Sequence, residues 1–199
     1  KEKWKTYGWT RQSIDSMKQV ISRQFYTEAI AVHSVETYTQ FLETHPWSND
    51  YASVLETRDS LAFYSAMAEN TSEAYKQFLD TYPQSNYASM AEDNYYNSDF
   101  YEKTQDGTVD SFMKFIEEYP ESPMRAEAEW SIYELVTKPN TLGAYELFVL
   151  GYDANENNTR AWSEYYQLYI SEYSKKRMEA FVEKYPIAPN LEDIEKDII

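Results

Sequence analysis

Chemistry near neutral pH asks for a side chain that changes protonation there, or for a metal ion in its place. Among 199 residues the sequence offers two histidines, His33 and His45, and no cysteine. No nucleophile elbow, HExxH pair or glycine-rich phosphate loop accompanies either histidine. The missing cysteines exclude disulfides, cysteine zinc sites and thiol nucleophiles, while leaving the compartment open. Acid pairs such as Glu117–Glu118 and Asp193–Glu195 recur on polar helix faces and read as solvated surface. The expectation is a chain that is not an enzyme and holds no cofactor.

One segment has the spacing of a cation loop. DANENNTRAWSE places Asp153, Asn155, Asn157 and Glu164 at positions 1, 3, 5 and 12 of a calcium loop. Asn158 stands where that loop needs glycine, and asparagine tolerates the positive φ. Arg160 occupies the position of an apolar residue, and no partner loop exists. The simpler reading is an interhelical turn that binds no metal.

Tyrosine is the more useful excess, with 20 in the chain. It offers area and a hydrogen bond at low entropy cost, so it serves binding surfaces well. Tyr64 and Tyr101 hold one equivalent position, and Tyr165, Tyr169 and Tyr173 follow at i, i+4 and i+8. These five are the binding candidates; interhelix packing with the hydroxyl at the rim is the competing reading.

The formal net charge is −16 and is unevenly spread. Residues 1–23 carry six bases and two acids, residues 24–137 five and twenty-one, and residues 138–199 seven and eleven. Such a chain opposes phosphate backbones, so nucleic acid is not an expected partner, whereas a basic segment suits the middle. The longest apolar runs are a few residues, too short to cross a membrane. The chain opens at Lys1 rather than Met and reads as a mature fragment, compatible with a membrane tether through a missing N-terminus.

The elements that must hold these side chains are written in a repeat. AYKQFLDTYPQSNYA, from Ala74, stands thirty-seven residues earlier as TYTQFLETHPWSNDYA and thirty-seven later as SFMKFIEEYPESP. Fainter copies follow at intervals of thirty-three, AYELFVLGYDANEN and RMEAFVEKYPIAPN. The first column is Tyr38, Tyr75, Phe112, Tyr145 and Met178; three residues on stand Phe41, Phe78, Phe115, Phe148 and Phe181. An aliphatic residue comes next, and His45, Tyr82, Tyr119, Tyr152 and Tyr185 lie at the seventh step. Positions i, i+3, i+4 and i+7 form one helical stripe, predicting an amphipathic helix A near 35–45, 72–82, 109–119, 142–152 and 175–185. His45 thereby reads as packing, and His33 as a residue at a helix junction.

Ser34, Thr71, Thr108, Thr141 and Ser174 are suited to cap the free amides of helix A, and Pro46, Pro83, Pro120 and Pro186 to stop it. A second helix, B, must follow. Ser48, Ser85 and Ser122 are its expected N-caps, with Pro123 at the first helical position. Ala91, Ala128 and Ala161 share one column of it, and Tyr26, Phe63, Phe100, Tyr133 and Tyr166 form a lid for the next helix A. The predicted order is one helix B, four AB pairs, a last helix A and a short tail.

Helix pairs of 33 to 37 residues with aromatic–x2–Phe-Leu–x2–Tyr-Pro–x-Ser and a helix B alanine resemble tetratricopeptide-like repeats. The FLxxYPxSxYxxxA wording, over residues 22 to 190, is similar to the divergent form in bacterial envelope proteins. Those include an outer-membrane assembly lipoprotein, periplasmic division coordinators and Bacteroidetes surface proteins. The Trp-x2-Leu-Gly of the standard helix A is absent. The resemblance implies an all-α right-handed solenoid of about four to five antiparallel hairpins over residues 22–199, after an N-terminal cap or tail at 1–21. It implies a non-catalytic scaffold of the bacterial cell envelope, in the periplasm or at the outer membrane, whose concave groove receives a protein or peptide. The surplus tyrosines keep two alternatives in view: a carbohydrate-binding component of a surface glycan-uptake system, and an accessory domain of a larger enzyme.

Overall fold

Five ten-residue helices occupy the five copies of the phrase. They are α2 (Val35–Thr44), α4 (Ser72–Thr81), α6 (Val109–Glu118), α8 (Leu142–Gly151) and α10 (Lys175–Lys184). The computed structural model describes residues 8–172, 174–189 and 191–198; 74% of the described residues are helical and none is in a strand. Each short helix begins where a hydroxyl accepts from the amide three residues on, Thr71 from Ala74 at 3.2 Å being typical. Each ends where His45, Tyr82, Tyr119, Tyr152 or Tyr185 donates its amide to the phenylalanine carbonyl four residues back.

Between them run α3 (Tyr51–Glu69), α5 (Ala88–Lys103), α7 (Arg125–Thr137) and α9 (Asn158–Tyr169). α1 (Arg11–Val32) precedes the first short helix, beginning inside segment 1–21 and running past it. Residues expected as a short tail form α11 (Leu191–Ile198). The helix B starts also differ from expectation. Ser48, Ser85 and Ser122 lie three residues before Tyr51, Ala88 and Arg125, and their hydroxyls accept from Asp50, Tyr87 and Met124 amides at 3.1–3.2 Å. They cap a turn that leads into the helix, not the helix itself, and Pro123 lies in that turn.

The chain divides into two units, residues 1–99 and 100–199, the division falling within α5. In the first unit, Tyr38, Phe41 and Leu42 of α2 share a core with Val54 of α3, and Tyr75 and Phe78 of α4 share one with Ala91. In the second, Phe112, Phe115, Tyr145, Phe148, Met178 and Phe181 join Ala128 and Ala161. The lid residue meets the following phenylalanine in every copy, with ring centroids of 5.0–6.2 Å at angles of 60–83°. Such edge contacts add to the area that an aromatic buries. The alanine column is fully buried, and its small size lets helices approach.

Candidate functional site

Two of the five candidate tyrosines are open to solvent. Tyr64 in α3 and Tyr101 in α5 are exposed, each beside a buried lid phenylalanine, and they lie in different units. Tyr165 is buried instead: its ring packs against Trp162, Phe181 and Tyr185, and its hydroxyl bonds to that of Tyr185 at 2.5 Å. A spacing of four shows which residues share a helix face, not whether that face looks inward. Tyr169 is half-buried, 6.2 Å from Tyr165 and edge-on to Phe181. Tyr173 lies outside the described residues.

Three of the four calcium-loop side chains, Asn155, Asn157 and Glu164, have protein partners of their own. Asn155 Oδ1 accepts from the Asn157 amide at 2.9 Å, and its Nδ2 donates to the Glu129 carbonyl. Asn158 opens α9, so the positive φ of a calcium loop is absent there. Glu164 accepts from the hydroxyls of Tyr133 and Tyr145 and from Arg160 Nε. Among the described residues, no group of three or more His, Cys, Asp or Glu side chains is placed to hold a metal. His45 is buried, stacked on Phe41 and tilted against Phe25, with Nδ1 beside the Thr44 hydroxyl.

Two polar networks organise the second unit. Besides receiving Tyr133 and Tyr145, Glu164 holds Arg160, whose guanidinium lies 4.9 Å from the centre of the Trp130 ring. Burial pulls the Glu164 carboxyl up, yet the bonds from Tyr133, Arg160 and Tyr145 outweigh it and leave it below the usual range. Burial and the bond to Glu164 push Tyr133 up to about 12. In the other network Glu146 accepts from Tyr185 and Lys184, which hold its carboxyl down. Tyr185 is raised by burial, the bond from Tyr165 opposing and that with Glu146 adding, to about 12. Tyrosines driven up and glutamates driven down both move away from neutrality, so these groups keep one protonation state around pH 7.

A groove recurs in the first unit. Between α1 and α2 it is lined by Phe25, Ala29 and Val32 facing Thr37, Phe41 and His45. Thirty-seven residues on, Ala62, Ala66 and Glu69 face Ala74, Phe78 and Tyr82 in the same register. The second groove is also walled by Val35 and Glu36 from the start of α2 and encloses 260 Å³. Among the described residues the first has no such wall, and it holds 500 Å³.

One column escaped the sequence reading. His33, Asn70, Gly107 and Asn140, each just before a capping hydroxyl, all have positive φ, between 50° and 62°. The signal was there: three residue types that tolerate the left-handed region stand at the repeat's own spacing.

Among the described residues no helix is long and apolar enough to cross a membrane. No protein-family model matches the chain, and no curated protein is similar to it in sequence.

Proposed function

We propose that this chain is a non-catalytic interaction scaffold, its helix pairs forming a tetratricopeptide-like right-handed solenoid that works in the bacterial cell envelope. The recurrence of one groove in one register, beside α2 and again beside α4, carries the reading. Repeated grooves of equal pitch and different lining recognise a segment of polypeptide by shape and by side-chain type. Glu28 lines the first groove and Glu36 and Glu69 the second, so the segment they receive is basic. A photo-crosslinking amino acid at Gln40, and separately at Gln77, tests this in envelope extract. The two positions should trap neighbouring stretches of one polypeptide. Adducts to no polypeptide at either position end the reading.

Exposed Tyr64 and Tyr101 favour a second reading, in which an open aromatic ring carries the face of a sugar. A glycan array decides it. Binding that is lost in Tyr64→Ala or Tyr101→Ala supports sugar recognition, and a blank array excludes it.

A further inference from the structure

His45 stands in the first groove where the other four copies of the phrase have tyrosine. Its neighbour fixes its tautomer. The Thr44 hydroxyl lies 2.7 Å from the Gln40 carbonyl oxygen, which can only accept, so the hydroxyl proton is committed there. Toward His45 Nδ1, also at 2.7 Å, that hydroxyl is left to accept. Nδ1 therefore carries the ring hydrogen, and in the neutral imidazole Nε2 keeps a lone pair. Nε2 has no hydrogen-bond partner among the described residues, and it is not sealed from solvent. Thr81 makes the same back-bond to Gln77 in the next copy, but Tyr82 beside it offers a phenol instead.

We infer that the first groove takes an arginine side chain, with His45 Nε2 as its hydrogen-bond acceptor and Glu28 as its counter-charge. The inference rests on the groove reading and names what this groove selects. Among the described residues that line it, Glu28 is the one carboxylate, and Phe25, Val32 and Phe41 supply apolar wall. A guanidinium has donors for a carboxylate and an imidazole together, and a flat face for the Phe25 ring. Nε2 accepts only while the ring is neutral. Once protonated it becomes a donor and a like charge, so acid should release the arginine. The charged groups around the ring come from α1. Glu28 lines the groove, and Lys18 stands 5.5 Å over the Trp47 ring, itself 5.4 Å from His45. From α2 the groove receives Thr37, Gln40, Phe41 and Thr44, all uncharged.

The probe is n-butylguanidinium, an arginine side chain without its backbone, titrated into the whole isotopically labelled chain. Long-range proton–nitrogen spectra should first show His45 as the Nδ1–H tautomer. Saturating n-butylguanidinium should move the Nε2 resonance upfield, as a lone pair does on accepting, and shift the Thr37 and Gln40 amides. n-Butyltrimethylammonium, of equal charge but with no N–H, should leave Nε2 in place. By linkage, a ligand that prefers the neutral ring should lower the pH at which His45 takes up its proton. His45→Phe keeps a ring between Phe25 and Phe41 and should weaken the amide response about 10-fold, as for a lost bond to a charged donor. The parent-chain titrations stand whether or not that variant keeps its helical circular dichroism. An Nε2–H tautomer, an equal Nε2 response to the trimethylammonium probe, or no response to n-butylguanidinium overturns the inference. So does tighter binding of n-butylammonium, since the groove then selects lysine. The groove reading itself is decided separately, by the Gln40 and Gln77 crosslinks.

Discussion

The Tyr75 hydroxyl donates to Asn70 Oδ1 at 3.0 Å, tying the first column of α4 to the left-handed residue before it. One copy earlier His33 Nδ1 stands 2.8 Å from the Tyr38 hydroxyl. One copy later both polar groups vanish together, leaving Gly107 and Phe112. In the fourth copy Asn140 keeps the positive φ, while the Tyr145 hydroxyl goes to Glu164. In each of these copies the first-column hydroxyl is either met by a polar partner or absent, as expected for a buried hydroxyl.

That pairing predicts a coupling energy. Tyr75→Phe should cost about 0.5–1.5 kcal/mol, the worth of one hydrogen bond. In an Asn70→Gly background, which recreates the Gly107–Phe112 pair, the same change should cost close to nothing. Asn70→Ala should be worse than Asn70→Gly, because φ is 50° at this position and a Cβ is strained there. Urea denaturation of the four-member cycle measures the coupling. Equal costs of Tyr75→Phe in both backgrounds would show the bond contributes nothing.

The helix A stripe was readable because its five phenylalanines recur with period and neighbours intact, and hydrophobic period is the strongest signal a sequence carries. Capping by Ser48, Ser85 and Ser122 was read with the right chemistry and the wrong element. A hydroxyl that accepts from an amide two residues on looks, in sequence, like one that accepts three residues on. Tyr165 and Tyr169 share one face of α9, but only packing reveals that this face meets Phe181 of α10. The Glu164 network was not legible. Its partners Tyr133 and Tyr145 lie 31 and 19 residues away, at separations that no helical period marks.

The tyrosine networks set an alkaline limit. Tyr133 and Tyr185 are raised from 10.0 to about 12 in the folded chain. A raised pKa means the fold favours the protonated form, so the stabilisation is complete below pH 10 and is lost as pH rises through about 12. Unfolding should therefore begin above pH 10, with these two phenols releasing protons as the second unit opens. Tyrosinate absorbance recorded beside circular dichroism tests this. Smooth titration of every tyrosine near pH 10 with helicity retained is the contrary result. On the acid side, Glu146 and Glu164 lie below 4.5 when folded. Their contribution is present above that pH and is lost as pH falls through the depressed values.

Calcium should leave the chain unmoved. An ion that binds only the folded state raises the melting temperature by mass action. At Asp153–Glu164 the bidentate ligand of the twelfth position is already shared between two phenols and a guanidinium, and Arg160 adds charge of the wrong sign. Millimolar calcium should shift the melt no more than magnesium does. Glu164→Gln should lower it in either salt. A calcium-specific rise abolished by Asp153→Ala would mean that the turn rearranges to bind.

The sharpest division between the core and the exposed α1 stripe is energetic. Phe78 is 3% exposed, with the Phe63 ring at 5.6 Å and that of Tyr82 at 5.4 Å. Cutting it to alanine removes a buried aromatic and leaves a cavity, so Phe78→Ala should destabilise the first unit by about 3–5 kcal/mol. Ile21 is as apolar, yet half its surface already meets water, and Ile21→Ala should cost under ~1 kcal/mol. The contrast separates two explanations for the α1 stripe. If its residues were packed in solution against some other part of the chain, Ile21→Ala would cost as much as a buried isoleucine, about 2–5 kcal/mol. Urea midpoints for both variants, followed by tryptophan fluorescence and by circular dichroism, distinguish them. A small loss at Ile21 beside a large one at Phe78 shows that the stripe meets water rather than a core.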